Sequence, residues 1–330
     1  MAQLPTETKP GPDSRRVDVP TTVIFDLGAV VLEWAPHLPF EQVLPADEVP
    51  GFMTKIGFWD WNRINDGGRL FEVGERELID QYPDSAEAIR AYREHFPHAL
   101  TGMVPGTGAV IAELQRAGVR LLALTNWSAE TFPHARAKFG LLDRFEAIVV
   151  SGAELLSKPD PAIFELIFSR YDVDPTTCVF VDDSPPNVVA AAGLGLSAIH
   201  FTDATQLREE LSALGLLSDR QVVTEPLFHL TQRDVWTAAQ LAGEFPWSTR
   251  DVSYDRQGYV HCSFRSQVDG VRGYVYADVD DADLVLLELD PQLVDVPIIV
   301  EDLGAGSAFP HLYGALPLGS VVGEHSLPLP

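Results

Sequence analysis

Four short segments place reactive side chains where apolar runs end. In Phe25-Asp26-Leu27-Gly28 a carboxylate follows the β-branched and aromatic run 22–25. Leu124-Thr125-Asn126 closes a second run with a hydroxyl and an amide, groups suited to holding an anionic oxygen. Ser157-Lys158-Pro159-Asp160 sets an ammonium ahead of a proline-started helix, and Phe180-Val181-Asp182-Asp183-Ser184 ends another run on paired carboxylates. A single Asp after a strand is most often a turn former or a helix cap. Three carboxylates gathered at one edge are different, because they repel one another unless a cation offsets them. Asp26, Asp182 and Asp183 with Lys158 therefore suit an oxygen-ligated Mg²⁺, with Lys158 neutralising both a nucleophilic carboxylate and an incoming phosphate.

The elements that must position these groups follow from the hydrophobic pattern. Buried strands are expected at 22–25, 121–124, 147–150, 178–181 and 198–201, alternating with helices at 109–117, 129–139, 161–171, 187–194 and 205–217. This alternation implies an α/β fold with a parallel sheet and helices on both faces. Residues 33–104 read as helical throughout, anchored by Trp59, Trp61 and Phe71, and form an expected cap over the sheet's carboxyl edge, where open α/β sheets bind ligands. Residues 1–19 read as a disordered lead-in. Around 218–226 the grammar changes to short strands separated by turns, which marks a second, strand-rich α+β domain over 225–330.

The chain has 330 residues, 46% of them hydrophobic, enough for two cores. With 23 basic against 48 acidic residues its formal charge is −25, which argues against nucleic-acid and anionic-membrane partners. Its two cysteines make no disulfide framework or four-thiol zinc site. No apolar signal core or 18-residue apolar run is present, so a cytoplasmic protein is expected.

The segments FDLGAVVLEW, LTNWS, SKPDPAIF and VFVDDSPPNVVAAAGLG resemble, in order, the four motifs of the haloacid dehalogenase-like (HAD) hydrolase superfamily, over about 20–218. The resemblance implies a Mg²⁺-dependent phosphatase for a small phosphorylated metabolite. Asp26 would form an aspartyl-phosphate, Thr125 and Asn126 would bind phosphoryl oxygens, and Lys158 would hold nucleophile and phosphate together. Mg²⁺ would sit on Asp26, Asp183 and the carbonyl of Gly28, with Asp182 behind. One departure stands out: family phosphatases usually carry a second Asp, an acid and base, where this chain has Gly28. Two other readings stay open. One is a catalytically degenerate fold that binds a phospholigand or serves as a scaffold; the other is a metal-independent haloacid dehalogenase, which the retained acidic pair disfavours.

Segments LFHLT, GYVHCSFRSQ, LVLLELD and FPHLYG resemble the domain of unknown function 952 (DUF952). Strand-borne His229, His261 and His311 with Glu301 allow a Zn²⁺ site. The order His229-x-Thr231, His261-x-Ser263 and then Glu301 also resembles ADP-ribosyltransferases and RNA 2′-phosphotransferases. That resemblance implies one cleft for NAD or another nucleotide, lined by His229, Thr231, His261, Ser263, Glu301 and His311. A non-catalytic role for these residues is the remaining alternative.

Overall fold

The computed structural model describes residues 19–304 and 306–327; the lead-in expected at 1–19 lies outside them except for its last residue. The strands run β1 Thr22–Phe25, β2 Leu32–Trp34, β3 Leu100–Met103, β4 Arg120–Thr125, β5 Ala147–Val150, β6 Cys178–Asp182 and β7 Ser197–His200. Five of them form a parallel sheet in the order β5-β4-β1-β6-β7. Among them run the helices α5 Thr107–Arg116, α6 Phe132–Lys138, α7 Ser151–Glu154, α8 Pro161–Tyr171, α9 Pro185–Gly193 and α10 Ala204–Ala213, preceded in the cap by α1 Val49–Lys55, α2 Phe58–Asp66, α3 Phe71–Gln81 and α4 Ala86–Glu94.

Both sheet faces are covered, which is why the strands read as continuous apolar runs rather than alternating ones. Val23, Phe25 and Ala123 turn toward α5, α10 and the cap, whereas Ile24, Leu122 and Phe180 pack on α8 and α9. Asp160 caps α8 by accepting a hydrogen bond from the Ala162 amide, and Pro161 opens the helix.

The cap is not helical from end to end. The β2 and β3 strands pair antiparallel and join it to the sheet as a two-stranded ribbon. Cap helices occupy 49–94, held by the aromatic cluster of Phe40, Phe58, Trp61, Phe71 and Tyr92. The ribbon's strands are three and four residues long and come from segments 68 positions apart at Glu33 and Thr101, so no local period announces them.

The second domain starts at β8 Leu227–Gln232, followed by β9 Trp247–Thr249, β10 Val252–Ser253, β11 Val260–His261, β12 Leu284–Leu289, β13 Ile298–Glu301, β14 Phe309–Leu312 and β15 Val321–His325. Its helices are α11 Arg233–Ala242, α12 Tyr254–Gln257 and α13 Val268–Val275. Two three-stranded antiparallel sheets, β15-β12-β8 and β11-β14-β13, enclose a core of Leu227, Leu287, Val260, Cys262 and Leu312. The outer face of β11-β14-β13 packs on the first domain. Tyr259, Ile299 and Tyr313 meet Ala109 and Ala112 of α5, and Arg116 donates to the Val300 carbonyl at 2.8 Å. Residues 218–226 between the domains are mostly exposed, tethered by Arg220 to Glu113 at 2.8 Å.

Limited proteolysis of the native protein is expected to cut first within 218–226, and the two fragments should co-elute in gel filtration because the apolar contact and its hydrogen bonds persist. First cleavage inside α5 or the β11-β14-β13 sheet would contradict this packing.

Candidate active site

The sheet register brings the site together. Phe25 lies level with Ala123 of β4 and Val181 of β6, so the next residues, Asp26 and Asp182, emerge side by side at the carboxyl edge. The Asp26 amide donates to the Val181 carbonyl at 2.8 Å, which fixes the turn out of β1. Lys158 arrives from the loop before α8, and its ammonium bridges Asp26 Oδ1 at 2.9 Å and Asp182 Oδ2 at 2.7 Å. The ammonium and the Asp182 carboxylate are wholly buried.

The carboxylates differ in what remains free. Asp182 accepts from Lys158, from the Ser184 amide at 2.8 Å and from Asn187 Nδ2 with both oxygens, at 3.0 and 3.1 Å. Its lone pairs are largely spent, so it is a support. Asp26 accepts the Leu27 amide and Lys158 on Oδ1, while Oδ2 carries none of the described bonds. Asp183 is exposed. Burial is the largest influence on Asp26 and lifts its pKa to about 6; Lys158 pulls it down and Asp182 pushes it up. Burial, then Asp182, raises Asp183 as well. Ligand atoms of Asp26, Asp182 and Asp183 all lie within 4.8 Å of one another. A hard divalent cation suits such a set: Asp26 Oδ2 and the exposed Asp183 carboxylate are left to donate, and Asp182 is already engaged by Lys158.

Thr125 closes β4 as expected. Asn126 does something the sequence did not show. Its Nδ2 donates to the Lys158 carbonyl and its Oδ1 accepts the Lys158 amide, both at 2.9 Å. The side chain holds Lys158 in place, and its part in gripping a phosphoryl group is limited to whatever donor capacity remains. Asn187 was also missed; its only signal is an amide one turn into the helix after the acidic pair. Gly28 lies in the turn after β1. A Cβ built there meets nothing within 4 Å, so the place of the second family Asp is open space.

In the second domain Glu301, His311 and His261 form a line: His311 Nδ1 lies 3.0 Å from Glu301 Oε1, and its Nε2 lies 3.1 Å from His261 Nδ1. Arg144 of the first domain caps the line through Glu301, at 3.2 and 3.3 Å, and donates to the Tyr313 hydroxyl. Burial raises Glu301, but His311 and Arg144 outweigh it and hold its pKa at about 2. Burial lowers His229 to about 4, and burial with His311 and His229 lowers His261 to about 3. The expected six-residue cleft does not form. The His229 ring packs on Phe245, in the core between the two sheets, and its Nδ1 meets the backbone carbonyl of His261 at 2.7 Å. The His261 ring turns the other way, against Tyr259 and His311. Strand alternation explains this, since the neighbours Val260 and Cys262 take the core face. Thr231 shares the His229 side of β8, while Ser263 pairs backbone to backbone with Phe228. Among the described residues the acidic trio at the first sheet is the one group of three or more His, Cys, Asp and Glu placed closely enough to share a metal ion.

A parallel sheet with Asp26 after β1, a Lys held behind it, an acidic pair after β6 and a largely helical cap defines a capped α/β domain with a carboxylate-lined edge. The comparisons agree. Residues 40–195 match the family model described as haloacid dehalogenase-like hydrolase, and residues 230–324 the one described as protein of unknown function DUF952. The chain therefore carries a HAD-like hydrolase domain followed by a DUF952 domain. It is similar to a sesquiterpene phosphatase of Aspergillus oryzae, 27% identical over 58% of this chain and 94% of that protein. It is also similar to a phosphoglycolate phosphatase of Vibrio vulnificus, 24% identical over 58% and 87%. A HAD family enzyme of Bacteroides thetaiotaomicron, solved in complex with magnesium and inorganic phosphate, superposes with a TM-score of 0.43 at 19% identity, over 56% of this chain and 94% of that one.

Because Lys158 is the one cation among these buried carboxylates, Lys158→Met is expected to cost about 3–5 kcal/mol in urea unfolding at pH 8. The loss should shrink toward pH 5, where Asp26, its pKa raised to about 6, takes up a proton and no longer needs the ammonium. An equal loss at both pH values would show that Lys158 acts through packing rather than charge.

Proposed function

We propose that the protein is a Mg²⁺-dependent phosphomonoesterase that acts on a small phosphorylated metabolite through an aspartyl-phosphate on Asp26. The observation that carries this reading is the convergence of Asp26, Asp182 and Asp183 around the buried ammonium of Lys158. Asp26, Asp183 and the Gly28 carbonyl would hold Mg²⁺, which when bound offsets the charge of a phosphoryl group beside the carboxylates. Lys158 fixes the orientation of Asp26 and lowers its affinity for protons, leaving a carboxylate aimed at phosphorus. Thr125 offers a hydroxyl to a phosphoryl oxygen. The phosphatase relatives support the same chemistry. The intact acidic pair favours it over a metal-independent dehalogenase, and the intact Lys158–Asp26 contact favours it over a degenerate scaffold.

Asp26→Asn is expected to abolish hydrolysis of 4-nitrophenyl phosphate while leaving the thermal unfolding temperature within a few degrees. Chelation with EDTA should remove the wild-type activity and added Mg²⁺ restore it. Full activity without metal, with release of halide from a 2-haloacid, would move the assignment to a dehalogenase.

A further inference from the structure

The phosphatase reading leaves a chemical gap at Gly28: nothing there protonates a leaving alkoxide or deprotonates water. The cap supplies a carboxyl facing that gap. Asp66 ends α2 and lines a cavity of about 70 Å³ together with Gly28, Asn126, Trp127, Asn62 and Tyr92. It is held over the sheet edge by core groups. Its Oδ1 accepts the Ser128 amide at 3.0 Å, and its backbone carbonyl accepts from Ser151. Its Oδ2 faces Asn62 Nδ2 at 2.7 Å.

Resting on that reading, we propose that Asp66, carried by the cap, is the proton-transfer residue that replaces the second family Asp.

Several observations support it. The groups facing Asp66 are Asn62 from its own helix, Ser128 from the loop after β4 and Tyr92 from α4, and none is a cation. Burial raises its pKa to about 8, against smaller opposing contributions from the Ser128 and Asn62 hydrogen bonds. A carboxylate at a helix C-terminus is further disfavoured by the helix dipole. Asn62 Oδ1 is buried and has no hydrogen-bond partner. Turning that amide by 180° lets its oxygen accept a proton from Asp66 Oδ2, the arrangement a neutral carboxyl requires.

The step balances. Asp26 Oδ2 attacks phosphorus, the bond from phosphorus to the leaving oxygen breaks, and that oxygen takes the Asp66 proton and departs as an alcohol. Water then attacks the aspartyl-phosphate and gives its proton to the Asp66 carboxylate. The Asp26–phosphorus bond breaks, its electron pair returns to Asp26, inorganic phosphate leaves, and Asp66 is again protonated.

The test compares phenyl phosphate, whose leaving oxygen needs a proton, with 4-nitrophenyl phosphate, whose leaving oxygen does not, in single turnovers of the full chain. In Asp66→Asn the rate should fall by about 10²–10⁴-fold for phenyl phosphate, and by at least tenfold less for 4-nitrophenyl phosphate. In the wild type, the phenyl phosphate rate alone should decline as pH rises through about 8. Equal losses on both substrates, or matching pH profiles, would make Asp66 a cap fastener and overturn the proposal. Wild-type protein inactive on both would instead overturn the phosphatase reading beneath it.

Discussion

A single buried ammonium makes the carboxyl edge of the sheet possible. Without Lys158, Asp26 and Asp182 would face each other at close range in a region with little water, and at least one would take up a proton. With it, two anions share one cation across contacts of 2.7 and 2.9 Å. Much of the surrounding structure serves that contact. The register of β1 against β6 sets the carboxylates level, and Asn126 clamps the Lys158 backbone. Asn187 and the Ser184 amide take the remaining oxygens of Asp182. Asp183 is left outward-facing, the kind of group a divalent ion can claim.

The cap contributes in a second way. Its ribbon begins with β2 a few residues after Gly28, and the end of α2 is tied to the loop after β4 through Ser128 and to the start of α7 through Ser151. Cap position and carboxyl position are therefore one variable. Asp66 and its aromatic neighbours line the cavity beside Gly28, so one element would both exclude water there and, in the role proposed for Asp66, deliver the proton.

Much of this was legible in the sequence. The central strands β1, β4 and β6 are buried apolar runs that end on or just before a polar residue, and α8 begins and ends where its proline and its period place it. The ribbon was not legible, because three- and four-residue strands paired across 68 positions leave no local pattern. The role of Asn126 was not legible either, since an amide at a strand end can equally grip a ligand or a backbone. Asp66 looked like an ordinary residue before two glycines. In the second domain the histidines could be placed on strands but not on faces: with apolar partners on both sides of β11 and β14, alternation alone does not say which side is the core.

The contact of Arg144 with Glu301 and Tyr313 has a genetic consequence. An arginine 10% exposed, belonging to the first domain, supplies the positive charge that a carboxylate buried in the second domain requires. The two coding segments are thus not freely interchangeable cassettes. A recombination joining this DUF952 domain to another hydrolase would strand Glu301 without its counter-charge unless the new partner brought an arginine to the same spot.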